Sequence, residues 1–211
     1  AAVRPQVRAR RPWSRSPLAP NDDVEPSLST MIDFDVHYPK LLDDTFDIPN
    51  AALPDILKVI RLNLETGFAM EEDISRHRRQ LPTLYPEEKP AERHYSDIDQ
   101  YYITFARLFR QLAESNAKAA RREYKSWDVS NRFFSALRIW ALADARVVPA
   151  HEVGSIIRTL SRDEFWNPHF SRELLWAVRS RWPAILRPDR LAIEQKILRG
   201  RARFRYETMR D

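Results

Sequence analysis

Two stretches of this chain, RIWALADARVVPAHEV (Arg138–Val153) and LLWAVRSRWPAILRPDRL (Leu174–Leu191), follow one plan. Each sets an apolar residue before Trp-Ala, passes through an Arg-bearing polar segment, and meets a proline that leads into a second amphipathic run. Trp140 and Trp176 stand 36 residues apart, and Pro149 and Pro188 stand 39 apart. A period of that length is what stacked helix pairs write into a sequence. One pair carries a face it cannot bury alone, so a neighbour covers it and a bulky side chain fills the seam. The doubling is read as architecture, not as two copies of an active site.

The spacing of apolar residues extends this reading along the chain. Pro54 suits a first helical turn, where its missing N–H is not needed, and Leu57, Ile60, Leu64 and Phe68 follow at helical spacing. A second short helix is expected over 70–80, ended by the proline-rich LPTLYPEEKPAER. Ile98, Tyr101, Tyr102, Phe105, Leu108, Phe109 and Leu112 share one helical face, with Ser96 and Asp99 as a capping box. This helix is expected to run on to Tyr124, roughly 40 Å of rise. Asp128 is the expected cap of a helix with Phe133, Leu137, Trp140 and Ala141 inward. Pro149 opens the next, with Val153, Ile156, Ile157 and Leu160 inward. Asn167-Pro168 starts a third, with Leu174, Leu175, Ala177, Val178 and Trp182 on its face. Pro188 opens a fourth, with Leu191, Ile197 and Leu198 inward and Gly200 as its stop.

Only Gly67, Gly154 and Gly200 occur, and strand signals are few. The expected class is all-α: an irregular helical repeat, a HEAT- or TPR-like α-solenoid, with an extended Pro/Arg-rich N-terminal arm. Residues 1–30 form that extended or disordered arm, on five prolines and no periodic apolar pattern. Residues 31–211 form one α-helical domain, with upstream helices over 54–124 and the doubled unit over 128–206. The segment 31–53, acids mixed with aromatics, reads as irregular or briefly extended. Trp127, Trp140, Trp166, Trp176 and Trp182 read as core and seam residues, with Phe165-Trp166 as a plug between the pairs.

Charge and composition narrow the function. The net charge of +5 is carried by Arg4, Arg8, Arg10, Arg11 and Arg15, because removing them leaves 30 basic against 30 acidic residues. The pI near 9.6 therefore reflects the arm and not a basic fold. With no Cys there is no disulfide framework, thiolate nucleophile or Cys-based zinc site. A reducing, cytoplasmic setting fits this, and no run nears the ~18 apolar residues of a membrane span. The opening AAVRPQVRARRPWSRSP reads as the middle of a longer or processed chain.

Motifs for catalysis are missing their partners. His151-Glu152 lacks a second helical ligand, since Ser155 stands where a zinc protease carries His. Asp33, Asp35, His37, Asp43, Asp44 and Asp47 cluster without the Gly bend or terminal Glu of a calcium loop. A small metal-dependent hydrolase built on that segment is the third-ranked reading. His77, His94 and His169 sit apart from one another, and neither GxxxxGK, GxGxxG nor GxSxG occurs. No catalytic, cofactor-binding or metal-ligating residue is assigned. Two basic stretches remain. RARRPWSR offers Arg8, Arg10, Arg11 and Trp13, and KILRGRARFRYETMR offers Arg199, Arg201, Arg203 and Arg205 beside Phe204 and Tyr206. Arginines interleaved with stackable rings suit single strands or RNA, and the second run equally suits a helix C-terminus.

Residues 160–204 resemble the helical, non-catalytic region of large bacterial proteins that carry a sirtuin-like NAD-hydrolysing domain and are implicated in defence against phage. The resemblance rests on Leu160-Ser161, Phe165-Trp166, Arg172 to Leu175, Arg181-Trp182-Pro183, Ile193-Glu194 and Gly200-Arg201. It implies a scaffold, sensor or oligomerisation module beside a separate effector, with no catalytic residue carried over. The expected function is a non-enzymatic helical module that binds a protein partner or neighbouring domains of a longer chain, without a cofactor or a membrane. Arg138, Arg146, Arg158, Arg172 and Arg179 are its candidate contacts. The alternative is nucleic-acid binding through the basic termini.

Overall fold

The computed structural model describes residues 6–10, 33–37, 48–74, 82, 84, 97–167 and 171–200. The chain divides into two compact units, Ala1–Gln80 with Arg93–Leu108 and Leu81–Glu92 with Phe109–Asp211. Helices dominate the described residues. None of them is long and apolar enough to cross a membrane.

In the first unit, helix α1 spans Leu53–Ile74 and is entered through a 3-10 turn over Asn50–Ala52. The expected face is correct: Leu53, Leu57, Ile60, Leu64 and Phe68 are all buried. Of the separate helix expected over 70–80, Met70–Ile74 belongs to α1, which runs unbroken to Ile74, and 75–80 lie outside the described residues. No proline or glycine lies between Phe68 and Ile74 to stop it. The start of helix α2, Asp97–Ser115, adds Ile98, Tyr101, Tyr102 and Phe105, which are likewise buried. Strands β1, Gln6–Arg10, and β2, Asp33–His37, pair antiparallel, with β2 beside α1. Of the arm read as extended or disordered over 1–30, Gln6–Arg10 is described and is extended as a paired strand, and the rest lies outside the described residues. Alternation in DFDVH suits a strand, and the missing signal was a partner 27 residues upstream of it.

The second unit starts from an aromatic cluster. Phe109 lies 4.7 Å from Trp127 and 6.3 Å from Trp140 between ring centres, and Trp127 also meets Tyr124 at 5.4 Å and Phe134 at 6.1 Å. Tilted ring pairs of this kind add about 0.5–1.5 kcal/mol each beyond area burial. The long helix expected to reach Tyr124 breaks instead at Asn116. That residue leaves helical geometry (φ −150°, ψ 80°), and its side chain accepts from Ala119 N–H at 3.0 Å, opening helix α3 over Ala117–Lys125.

Helix α4, Arg132–Ala141, is capped by Asn131 and not by Asp128. The Asn131 side chain accepts from Phe133 N–H at 2.9 Å, while Asp128 turns to Ser130. Pro149 precedes helix α5, Ala150–Thr159, as its proline suggests. A short helix α6, Arg162–Phe165, follows, closed by a reciprocal Ser161–Glu164 capping box. Helices α7, Ser171–Arg181, and α8, Arg187–Arg199, complete the chain order, joined through a 3-10 turn over Trp182–Ala184. Gly200 ends α8 at φ +62°, a conformation glycine takes without penalty.

These helices stack like on like: α4 packs on α7, and α5 packs on α8. Side chains reaching across to main-chain carbonyls hold the stack. Arg181, buried, donates to Leu142 O at 3.2 Å and Val148 O at 3.1 Å. Lys196 Nζ donates to Arg158 O at 2.6 Å and to Leu160 O, which satisfies the end of α5. Arg162 returns the favour at the end of α8, donating to Arg199 O at 2.9 Å and Gly200 O at 3.0 Å. Gly154 lets α5 approach α8 closely, since a Cβ there would lie 2.7 Å from Asp189 Oδ2 and 2.8 Å from Ile185 Cγ2.

Several expected inward residues face out. Trp182 is half-buried and Arg181 takes the core position beside it. On α8 the buried row is Asp189 and Ile193, and Leu191, Ile197 and Leu198, all expected inward, are exposed. Leu175 is exposed as well.

Candidate functional site

Trp140 and Trp176, at matching places in the two similar stretches, both line an open cavity of about 300 Å³ in the second unit. Its walls are Phe109 and Arg110 from α2, Trp140 and Ala141 from α4, the turn Ala143–Arg146, and Trp176 from α7. The seam role expected of Trp140 and Trp176 is only part of what they do. Trp140 is buried in the cavity wall, and Trp176 is half-buried.

Each wall is held in place by its local chemistry. Trp140 is anchored at its polar end, where Nε1 donates to Leu84 O at 3.1 Å. The Leu84 N–H in turn donates to Glu173 Oε1 at 3.0 Å, so the main chain of this one residue is held from both α4 and α7. The turn after α4 needs no glycine. Its N–H groups at Leu142, Ala143 and Asp144 bond back to Ile139, Trp140 and Ala141, and the Asp144 carbonyl accepts from Val147 and Val148.

The charges at the mouth are unequal. Arg146 is committed: its guanidinium pairs with Asp144 at 2.8 Å and with Glu114 at 3.5 Å, and its carbonyl accepts from Arg121 at 2.8 Å. Burial of Asp144 opposes its ionisation. The Arg146 side-chain and backbone donors outweigh that and hold the carboxyl below its usual range. Arg110 is exposed, with its guanidinium 5.5 Å from the Trp140 ring centre. Its charge also helps to hold the Asp144 carboxyl ionised, and a guanidinium so placed can pair with a carboxylate. An apolar group beside Trp140 and Trp176, with an acid near Arg110, suits this lining.

The expected site residues scatter. Arg8 and Arg10 lie in β1, where their register partners are Asp35 and Asp33. Arg11, Trp13, Arg201, Arg203 and Arg205 lie outside the described residues, as do Asp43, Asp44, Asp47, His77, His94 and His169. Arg199 is exposed at the end of α8. Of the proposed contacts, Arg138 covers the Tyr124 ring at 4.6 Å and Arg158 pairs with Asp189 at 2.9 Å. Both therefore serve the fold. Arg172 and Arg179 are exposed, the latter 5.9 Å from the Trp176 ring. His151 and Glu152 sit 3.6 Å apart on the surface, and no group of His, Cys, Asp or Glu among the described residues could hold a metal.

Arg110 and Asp144 were not singled out from the sequence. They come together from positions 34 residues apart, and Trp176 joins from a further 32, so no local pattern marks them. Neither a protein-family model, nor a curated protein, nor a solved structure matches this chain.

Proposed function

We propose that this chain is a non-enzymatic helical interaction module, an irregular α-solenoid segment that receives a side chain of a protein partner in the Trp140–Trp176 cavity. The observation that carries the reading is the cavity itself. Two indoles, one half-buried, line a concave opening with an exposed arginine at its rim. Aromatic surface and Arg are the residue types that concentrate binding energy at protein interfaces. The like-on-like stacking of α4 on α7 and α5 on α8 supports the solenoid half of the proposal, because a repeat joins neighbours in that manner. A setting beside a separate effector, of the kind the resemblance of residues 160–204 implies, belongs to the same proposal.

Nucleic-acid binding is the second reading, favoured by the exposed Arg172, Arg179, Arg187 and Arg199 on the last helix pair. One experiment separates the two. A displayed peptide library is panned on the protein, and labelled RNA and DNA are titrated in parallel at near-physiological salt. The expected binders carry an aromatic or branched residue next to an acid. They lose roughly tenfold or more in affinity with Ala145→Trp, which fills the cavity mouth from an exposed turn, and with Arg110→Glu. Peptides indifferent to both changes, or tight nucleic-acid binding by the same protein, would refute the reading.

A further inference from the structure

We propose that the exposed face of α3 receives an acidic stretch of the protein partner, continuous with the residue that the partner seats in the cavity; this rests on the interaction-module reading and names the charge pattern of its partner. The starting observation is a row of cations on one side of a nine-residue helix. Lys118, Arg121, Arg122 and Lys125 fall at i, i+3, i+4 and i+7, and all are exposed. They share an arc of roughly 100°, at 100° per residue. The opposite side, Ala119, Ala120 and Tyr124, is buried. Glu123 is the one acid on the helix. It stands at least roughly 100° from each cation, and its Oε1 accepts from Trp127 Nε1 at 3.2 Å. No carboxylate among the described residues pairs with any of these cations. The fold alone gives no reason for the row. Lys118 lies in the first turn, where the helix dipole disfavours a cation, and only Arg122 and Lys125 lie in the last. Like charges at i+3 and i+4 repel along it. An anion from outside relieves both.

The place and length of the row select the anion. Arg121 Nε donates to Arg146 O at 2.8 Å, so the row begins at the turn that lines the cavity. The charges at that junction are already matched, Arg146 against Asp144 and Glu114, with Arg110 acting on Asp144 as well. At the other end Asp128, three residues past Lys125, is exposed and bonded to Ser130. The unmatched positive face is therefore about 10 Å long, at 1.5 Å per residue. A duplex laid along α3 would run past both ends, toward Glu114 and Asp128, and its affinity needs phosphate contacts over a longer surface. A single strand would find no ring among these side chains to stack its bases on. A membrane would find no apolar side chain to take up, since those of α3 are buried. Carboxylates on an extended chain, at ~3.3 Å per residue, cover the face with about three or four residues. The apolar anchor that a purely charged contact lacks is supplied next to it, at Trp140 and Trp176. The partner segment is thus an apolar residue in the cavity adjoining a short acidic run over Lys118, Arg121, Arg122 and Lys125.

The test uses the full chain and labelled peptides that carry one Phe or Leu beside a run of Glu, in both orders. Matched peptides carry Gln in place of Glu. Binding is read by fluorescence anisotropy across a salt series. The expected result is that the Glu peptides bind at least roughly tenfold tighter than the Gln peptides at low salt, with an advantage that shrinks as salt rises. Lys118→Glu with Arg122→Glu, both exposed and clear of the Arg121–Arg146 contact, abolishes that advantage. Ala145→Trp weakens Glu and Gln peptides alike and leaves their ratio unchanged. Without peptide, Lys118→Glu raises the urea midpoint, because it removes like-charged neighbours and suits the first turn. A lower midpoint would show that Lys118 serves the fold and would overturn the inference. So would equal binding of Glu and Gln peptides, which spares the cavity reading where Ala145→Trp weakens both, or no binding of the Glu peptides at all. An advantage that survives the charge reversal overturns it too, because the acid is then met elsewhere. Duplex DNA or RNA that outcompetes the Glu peptides, and is itself lost with the same reversal, makes the face a phosphate surface and overturns it. Sensitivity to the reversal with indifference to Ala145→Trp refutes the cavity as the anchor and upholds the acidic run on α3.

Discussion

Gly154 sits in the middle of α5, where two ordinary effects oppose each other. Helix propensity favours replacement: Gly→Ala in a helix interior gains about 1 kcal/mol. Packing opposes it, because the added Cβ would lie 2.7 Å from Asp189 Oδ2 and 2.8 Å from both Asp189 Cβ and Ile185 Cγ2, where ordinary contact begins near 3.4 Å. Oδ2 could swing aside, but Asp189 Cβ is bonded to its own backbone, and Oδ1 is held by Arg158 at 2.9 Å. Ile185 is buried and has no room to retreat. Overpacking of this type costs about 1–3 kcal/mol, and the rigid neighbours argue for the upper half. The net expectation for Gly154→Ala is a loss of about 1–2 kcal/mol, with Gly154→Val worse. Urea unfolding followed by far-ultraviolet circular dichroism reads this as a lower midpoint at unchanged slope. Ser180→Ala, on an exposed helical site, serves as the propensity control and gains a few tenths of a kcal/mol. A midpoint for Gly154→Ala that matches or exceeds the parent would refute the close approach of α5 and α8.

Arg181→Met removes both donors to Leu142 O and Val148 O from a buried site and should cost about 2–4 kcal/mol, read in the same unfolding assay. A loss below about 1 kcal/mol would mean that the guanidinium is dispensable to the stack. Asp144 predicts a pH dependence. Its carboxyl titrates lower in the folded chain than in the unfolded one, so its contribution is complete above the unfolded value of about 3.9 and is lost as pH falls through the lower folded value. Asp144→Asn should therefore destabilise the protein at neutral pH and flatten the acid limb of the stability profile. An unchanged acid limb would show that the Arg146 pairing contributes nothing.

Much of the helical framework was legible. The inward face of α2 could be read because seven positions repeat it, and Pro54 and Pro149 mark helix starts through the donor they lack. The break at Asn116 was hidden by context. AESNAKAARREY has good helix propensity throughout, and one Asn reads the same inside a helix as at its cap until its side chain finds an N–H. The α8 face was misread for a reason specific to stacked helices. Such a helix has two sides to cover, so its apolar residues do not all mark the interior. Its buried row mixes Asp189 with Ile193, because Asp189 is paired with Arg158. The cavity was illegible for a different reason: Phe109 to Trp176 spans three helices and a turn, and only stacking brings these residues together.

The capping of α5 by α8, and of α8 by Arg162 at the start of α6, bears on motion. Helix ends normally fray first, because their last carbonyls lack partners within the helix. Here the end of α5 depends on Lys196 from α8, and the end of α8 depends on Arg162, just beyond α5. Loosening the end of α5 releases Lys196 of α8, and loosening the end of α8 releases Arg162, the first residue of α6, three residues beyond the end of α5. Amide hydrogens in the last turns of the two helices should then exchange with solvent through one shared opening, with similar protection, and not by independent unravelling. On this reasoning the pair opens as one cooperative unit, so that a change which frees one end frees the other with it.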